Sequence, residues 1–211
     1  MNNTMLRAVI YTGGEACLEK IPERDKQGDY VIAADCGMEK SLLAGVMPDL
    51  LVGDFDSMEI PSEYGSVPVY RMPAEKDETD TMTAAELAIR KGVGEIFIVG
   101  GTGGRADHAL SNIFLLENIR RRGIKVTLCD GDNRIRILLD ETVTVPSGDY
   151  RYFSILAIED CRVTVSGAKY PLTDALLTRA NPYAVSNEPL EGGASVTLRG
   201  CGVLIESEYN A

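Results

Sequence analysis

Short apolar runs separated by helical patterns organise the first 130 residues. LRAVIY (6–11), YVIAAD (30–35), DLLVGD (49–54), EIFIVG (95–100) and IKVTLCD (124–130) are brief, β-branched and apolar on successive residues. Uninterrupted apolarity of that kind predicts strands covered on both faces. Between them, residues 38–44, 79–91 and 107–121 carry helical spacing. The second of these puts Met82, Ala85, Ala88 and Ile89 on one stripe, with Gly92 following as a stop signal. Strand and helix alternating in this way predict a mostly parallel α/β sheet.

After Gly131 the helical period disappears. IRILL, ETVTV, YRYFSILAI, CRVTVSG, ASVTLRG and CGVLIES read as strands, with turns such as Pro146-Ser147-Gly148 between them. This half is expected to form a small antiparallel sandwich or barrel. The polar turn Asp130-Gly131-Asp132-Asn133 marks the boundary, giving an α/β domain over 1–130 and an all-β domain over 131–211. No internal repeat or low-complexity tract interrupts either half.

Composition changes this picture little. The 211 residues are 45% hydrophobic and 25% charged, ordinary for a globular chain able to build a core. Thirty-two acids against 21 bases leave a net charge of −11, and no basic block is present. That balance argues against a nucleic-acid partner, because phosphate backbones are bound through Lys and Arg. It leaves a nucleotide substrate open, since Mg²⁺ supplies positive charge that side chains lack. The five cysteines (17, 36, 129, 161, 201) are odd in number and hold no C-x-x-C pair, so neither a disulfide framework nor a zinc cluster is suggested. The apolar run near the N-terminus is too short for a signal core or a membrane span, and a soluble cytoplasmic protein is expected.

The polar residues gather where strands end, which in open α/β sheets is where ligands bind. In Gly53-Asp54-Phe55-Asp56-Ser57, an extended backbone would point both carboxylates one way and Phe55 the other. Such hard oxygens suit Mg²⁺, although Gly and Asp are also ordinary turn residues. Lys76-Asp77-Glu78-Thr79-Asp80 fits a helix start, with Thr79 or Asp80 as cap, and equally a phosphate site at that start. Gly100-Gly101-Thr102-Gly103-Gly104 matches neither the P-loop nor the dinucleotide fingerprint, yet it lets backbone N–H groups approach an anion. Arg105 follows with a fork of donors, and the chain's one histidine, His108, shares a helix face with Asn112, as Asp107 does with Ser111. Cys36 stands at a helix start that would lower its pKa, but without a nearby base it reads as a packing residue. Arg120-Arg121-Arg122 complements a helix C-terminus, and no G-x-S-x-G elbow accompanies His108.

Together, Ala34-Asp35-Cys36-Gly37, Pro48-Asp49-Leu50-Leu51-Val52-Gly53-Asp54-Phe55-Asp56-Ser57, Lys76-Asp77-Glu78-Thr79-Asp80 and Gly104-Arg105-Ala106-Asp107-His108-Ala109-Leu110-Ser111-Asn112 resemble the motifs of the thiamine pyrophosphokinase family, in the family's order and approximate spacing. The order of halves, α/β then all-β, is similar too. The resemblance implies transfer of an intact pyrophosphoryl group from ATP to the thiamine hydroxyl, with Mg²⁺, giving thiamine diphosphate and AMP. It implies a homodimer that holds thiamine between the α/β domain of one subunit and the β domain of the other. By motif, Asp54, Asp56 and Asp80 would bind metal. Asp35, Lys76, Asp77, Thr79, Arg105, Asp107, His108 and Asn112 would hold ATP, and Asp80 or Asp107 would accept the hydroxyl proton. Ser186 and Asn187, in a Ser-Asn-Glu stretch, would contact thiamine. Cys36 stands where the family usually has glycine, and Pro189 where it usually has an aromatic residue. Two other readings of the acids are a metal-dependent phosphohydrolase or nucleotide-sugar transferase, and a non-catalytic sensor of thiamine or nucleotide.

Overall fold

The structure, a computed structural model, describes residues 6–21, 27–55, 60–73 and 78–208. The chain divides into two compact units, Met1–Gly131 and Asp132–Ala211.

In the first unit, β1 (Arg7–Tyr11), β2 (Tyr30–Ala34), β3 (Leu50–Gly53), β4 (Val69–Arg71), β5 (Glu95–Val99) and β6 (Lys125–Cys129) form a parallel sheet in the order β6-β5-β1-β2-β3-β4. Every residue of β1 is buried, as is all of β5 after Glu95, which is why these strands read as continuous apolar runs. Three α-helices connect them: α1 (Gly37–Leu43) against β1 and β2, α2 (Asp80–Arg90) against β1, β2 and β3, and α3 (Ala106–Arg121) against β6. Ala84, Ala85 and Ala88 give α2 a small-residue buried face, so its backbone approaches the sheet closely. Val9, Tyr11, Val31, Phe97 and Val99 pack together on one side of the sheet with Ala44 and Val46. Ala33, Leu51, Met38 and Tyr64 form a second cluster. β4 was not apparent from the pattern, because its three residues are all exposed and show no alternation.

The second unit contains β7 (Asn133–Val145), β8 (Tyr152–Ala157), β9 (Cys161–Ser166), β10 (Leu172–Leu177) and β11 (Ala194–Ser207), all antiparallel, in a β-sandwich. IRILL and ETVTV are not two strands but one, β7, and ASVTLRG and CGVLIES likewise merge into β11. The pairing shifts register between Leu198 and Cys201, opposite Asp140, which sits at φ +46 and accepts a hydrogen bond from Gly200 N at 2.8 Å. That bulge bends the long pair: the first part of β11 also pairs with β9, and the last part with β8. Phe153, Val163, Val165, Val196, Leu198 and Leu204 lie in the core this encloses. Among the described residues, no helix is long and apolar enough to cross a membrane.

Candidate active site

Strand order reverses at β1. The chain moves outward through β2, β3 and β4, then returns to place β5 on the other side of β1. Loops leaving the carboxyl ends of β1 and β5 therefore diverge, and such a switch point opens a ligand crevice. A cleft of about 500 Å³ lies there, lined by residues 12–14, 34–36, 78–81 and 101–105 together with His108 and Asn112.

Its floor is two glycine loops joined by hydrogen bonds. Thr12 N donates to Val99 O at 3.1 Å, and Gly101 N to Gly13 O at 2.9 Å. Gly101 has φ +85, and a Cβ there would lie 2.9 Å from the Asn112 amide nitrogen. Glycine at this position lets Asn112, buried within α3, donate from Nδ2 to Gly101 O at 2.8 Å. Asn112 thus braces the loop from below. Arg105 and His108 stand at the cleft's open side. Arg105 grips Asp107 through Nη2–Oδ2 at 2.6 Å and Nε–Oδ1 at 3.1 Å, both groups exposed. That fork holds the Asp107 carboxyl below the usual carboxylate range, and Asp107 is not part of the cleft lining.

The carboxylates come from two helix starts. Asp35, at the end of β2, takes φ +48; its N–H donates to Val52 O at 2.8 Å and its carbonyl accepts from Met38 N at 3.1 Å. Cys36 follows at φ −63, which any L-residue adopts, so the strained residue of this turn is Asp35 and not the position where glycine is customary. Burial, then Asp35 beside it, pushes the Cys36 thiol up despite the opposing charge of Lys40, the reverse of the lowering expected of a helix start. Thr79 caps α2, its hydroxyl accepting from Met82 N at 3.2 Å, which decides between the two capping readings. Asp80 opens α2 and, with Glu78, faces the cleft.

One sequence expectation needs correction. Asp54 and Asp56 were expected on one side of an extended segment, but the backbone turns at Phe55, φ +52. The Phe55 ring folds over Gly53 and packs beside Ala33, Met38, Leu51 and Tyr64, with the Arg71 guanidinium 5.6 Å from its centroid. Burying the ring overrides the strand alternation. Asp54 is half-buried at the end of β3 and lies outside the cleft lining, while Asp56, Lys76 and Asp77 lie outside the described residues.

In the second unit, Ser186 is exposed at φ +55 and its N–H donates to Ser154 Oγ at 3.0 Å. Asn187 is buried: Oδ1 accepts from Tyr170 N at 3.0 Å and Glu188 N at 2.9 Å, and Nδ2 donates to Tyr170 O at 2.8 Å. Both acceptor sites of its amide oxygen are therefore used in tying loops together.

Sequence reasoning missed Thr12 and Thr81, and gave Glu78, within the 76–80 motif, no role of its own. The signal for the first was available, because Thr12-Gly13-Gly14 follows β1 as Gly100-Gly101 follows β5. Among the described residues, no three His, Cys, Asp or Glu side chains are grouped so as to hold a metal by themselves. Asp35, Glu78 and Asp80 nevertheless line one cleft. A few carboxylates completed by substrate phosphates is the donor set that Mg²⁺ takes.

Comparison with known proteins agrees with the motifs. The family model for the thiamin pyrophosphokinase catalytic domain matches residues 23–128, and that for the thiamin pyrophosphokinase vitamin B1 binding domain matches residues 137–200. Thiamine pyrophosphokinase of Bacillus subtilis (strain 168) is 34% identical over 193 residues, covering 83% of this chain and 86% of the relative. The crystal structure of thiamine pyrophosphokinase from Bacillus subtilis superposes with a TM-score of 0.87 at 29% identity, over 97% of this chain and 100% of that one. That of thiamin pyrophosphokinase from Geobacillus thermodenitrificans gives 0.80 at 28% identity, over 98% and 99%. The chain belongs to the thiamin pyrophosphokinase family.

Proposed function

We propose that this chain works as a thiamine diphosphokinase, transferring an intact diphosphoryl group from ATP to the thiamine hydroxyl and releasing AMP. The observation that carries the mechanism is the cleft at the switch point, where glycine loops, Arg105 and carboxylates converge. In this reading the backbone N–H groups of residues 102–104 and the Arg105 guanidinium, aimed by Asp107, hold the phosphate oxygens. Asp35, Lys76, Asp77 and His108 complete the ATP site, Thr79 contributes through the helix start that it caps, and Asn112 contributes by bracing Gly101. By motif Asp54, Asp56 and Asp80 would hold Mg²⁺, with Asp80 among the residues lining the cleft, and the ion when bound would neutralise charge on the phosphate oxygens.

The thiamine oxygen attacks the β-phosphorus as the bond to the α-phosphate's bridging oxygen breaks, and AMP leaves with that oxygen. The hydroxyl proton is lost late, so positioning and electrostatics supply most of the rate. Of the two candidate acceptors, Asp80 faces the cleft, whereas Asp107 is kept ionised and engaged by Arg105. Asp80 is the better acceptor, with Asp107 fixing the direction of the Arg105 fork. Ser186 offers a hydroxyl to thiamine, and Asn187 shapes that loop from within. The protein acts in the cytoplasm as a homodimer, thiamine being held between the α/β domain of one copy and the β domain of the other.

The test is a product assay with thiamine, ATP and Mg²⁺, resolving AMP from ADP. Equimolar AMP and thiamine diphosphate, abolished by chelator, support the proposal. ADP with thiamine monophosphate would make this an ordinary kinase, and free phosphate a hydrolase. Sedimentation at about 23 kDa at working concentration would remove the homodimer.

A further inference from the structure

Lys40 lies on α1, outside the cleft lining and outside every motif named above, and its side chain runs inward. Its Nζ donates to Thr12 O at 2.9 Å. The stem passes beneath Gly100, where a Cβ would stand 3.5 Å from Lys40 Cε and 3.1 Å from Thr12 O. Burial lowers the lysine's pKa, with Cys36 and Glu39 opposing that shift. A flexible, strongly hydrated lysine is normally left in water, so an inward half-buried ammonium on a backbone carbonyl calls for a reason.

The reason lies one residue further along the network. Thr12 is buried, and its Oγ1 meets the Oγ1 of Thr81 at 2.6 Å, also buried. Thr81 stands in the first turn of α2, directly after Asp80. Three elements thus meet at Thr12: α1 through the ammonium on its carbonyl, β5 through its N–H on Val99 O, and α2 through the hydroxyl pair.

We infer that Lys40 is a positioning residue for diphosphoryl transfer, its ammonium fixing Thr12 and, through the Thr12–Thr81 hydroxyl pair, the start of α2 that carries Asp80 beside the glycine loops. A charge-assisted hydrogen bond to a backbone carbonyl is stiffer than a neutral one, and it holds a turn that glycines leave free. A displacement of about 1 Å in catalytic groups is enough to cost roughly 100-fold in rate. The inference rests on the diphosphokinase reading of the cleft, so the experiment separates the two.

The wild-type protein is assayed first for AMP formation from ATP, Mg²⁺ and thiamine; failure there removes the functional reading and leaves Lys40 to the binding and exchange measurements. Lys40→Met, Thr81→Val and the double variant are then compared. Calorimetry with a non-hydrolysable ATP analogue counts folded sites through its stoichiometry. Lys40→Met is expected to keep one analogue per chain while kcat falls about tenfold or more and amide exchange over residues 79–83 speeds about tenfold. Because the two side chains act in one relay, the double variant should be little worse than the poorer single one. Unchanged kcat and exchange in Lys40→Met overturns the inference, as do losses that multiply in the double variant. Should Lys40→Met fail to fold, Thr81→Val decides: exchange at Thr12 and Gly101, whose N–H groups bond to Val99 O and Gly13 O, must speed, and unchanged exchange there refutes the relay.

Discussion

Gly37→Ala adds one methyl group where the structure has no room for it. Gly37 is the buried first residue of α1, and a Cβ there would lie 2.1 Å from Tyr11 O, 2.5 Å from Tyr11 C and 2.8 Å from Thr12 N. All three are backbone atoms at the carboxyl end of β1, so none can rotate away. Non-bonded contacts sit near about 3.5 Å, so α1 must retreat by more than about 1 Å. Retreat draws Met38, fully buried, away from Ala33, Leu51 and Tyr64, and pulls Lys40 from Thr12 O. Overpacking ordinarily costs about 1–3 kcal/mol; with backbone as the neighbour and core packing opened as well, about 3 kcal/mol or more is expected.

Gly92→Ala is the internal control. It has φ +85 and nothing within 4 Å of an added methyl, so only the left-handed conformation is penalised, at about 1 kcal/mol. For a chain of this size each kcal/mol lowers the melting temperature by roughly 2–4 °C. Thermal unfolding followed by circular dichroism should place Gly37→Ala roughly 6–12 °C below the parent and Gly92→Ala roughly 2–4 °C below it. AMP formation should be lost in the first and retained in the second, because Asp35 and the glycine loop shift only when α1 moves. If Gly37→Ala melts no lower than Gly92→Ala, close approach of α1 to β1 is not what positions this edge of the cleft.

Three further outcomes are expected. Asp80→Asn and Asp54→Asn each take one charge from the proposed metal shell and should lower Mg²⁺-dependent turnover about 100-fold or more without unfolding the chain; near-parental steady-state rates in both would remove the assignment. Asn187→Ala leaves the Tyr170 N–H and carbonyl and the Glu188 N–H without their side-chain partner, a loss of about 1–3 kcal/mol read as a lower melting temperature, and a melt identical to the parent's would contradict the loop-tying role. Arg105 depresses the folded-state Asp107 carboxyl, so the pair's contribution is present above the ordinary carboxylate range and is lost as pH falls through the depressed value. A carboxyl titration by NMR should show Asp107 moving up toward the ordinary range in Arg105→Ala, and no movement would mean that the fork is not formed in solution.

The α/β half was legible because β1, β2, β3 and β5 are almost wholly buried and β6 is buried from Leu128 on, and burial on both faces leaves a short continuous apolar run. β4 lay hidden because an exposed edge strand needs no apolar pattern. β10 lay hidden because its register with β9 breaks between Leu172 and Ala175, where Asp174 takes φ +44 and disturbs the alternation. Asp140 and Gly200 did the same to β7 and β11, making each bent strand read as two.

The site divides along a similar line. Asp35, Thr79, Arg105 and His108 stand where a strand or loop gives way to a helix, and polar residues there interrupt an otherwise apolar text, while Asn112 lies one helical turn beyond His108. Phe55 and Lys40 defeat such reading for opposite reasons. Phe55 is an apolar residue between two acids, and local alternation argues for an extended backbone until Ala33, Leu51 and Tyr64 are seen waiting for its ring. Lys40 sits in a short helix with exposed Glu39 and exposed Leu43 nearby, and nothing local distinguishes it from a solvated lysine. What turns it inward is the Thr12 carbonyl, and the room for that carbonyl is kept by Gly100, far along the chain, where a Cβ would stand 3.1 Å from Thr12 O and 2.9 Å from Gly13 O. Motif residues are legible because the chemistry restricts their type. The residues that hold the motifs in place are restricted by neighbours distant in sequence, so a change at Gly100 should disturb Thr12 and Asp80 as surely as a change at either.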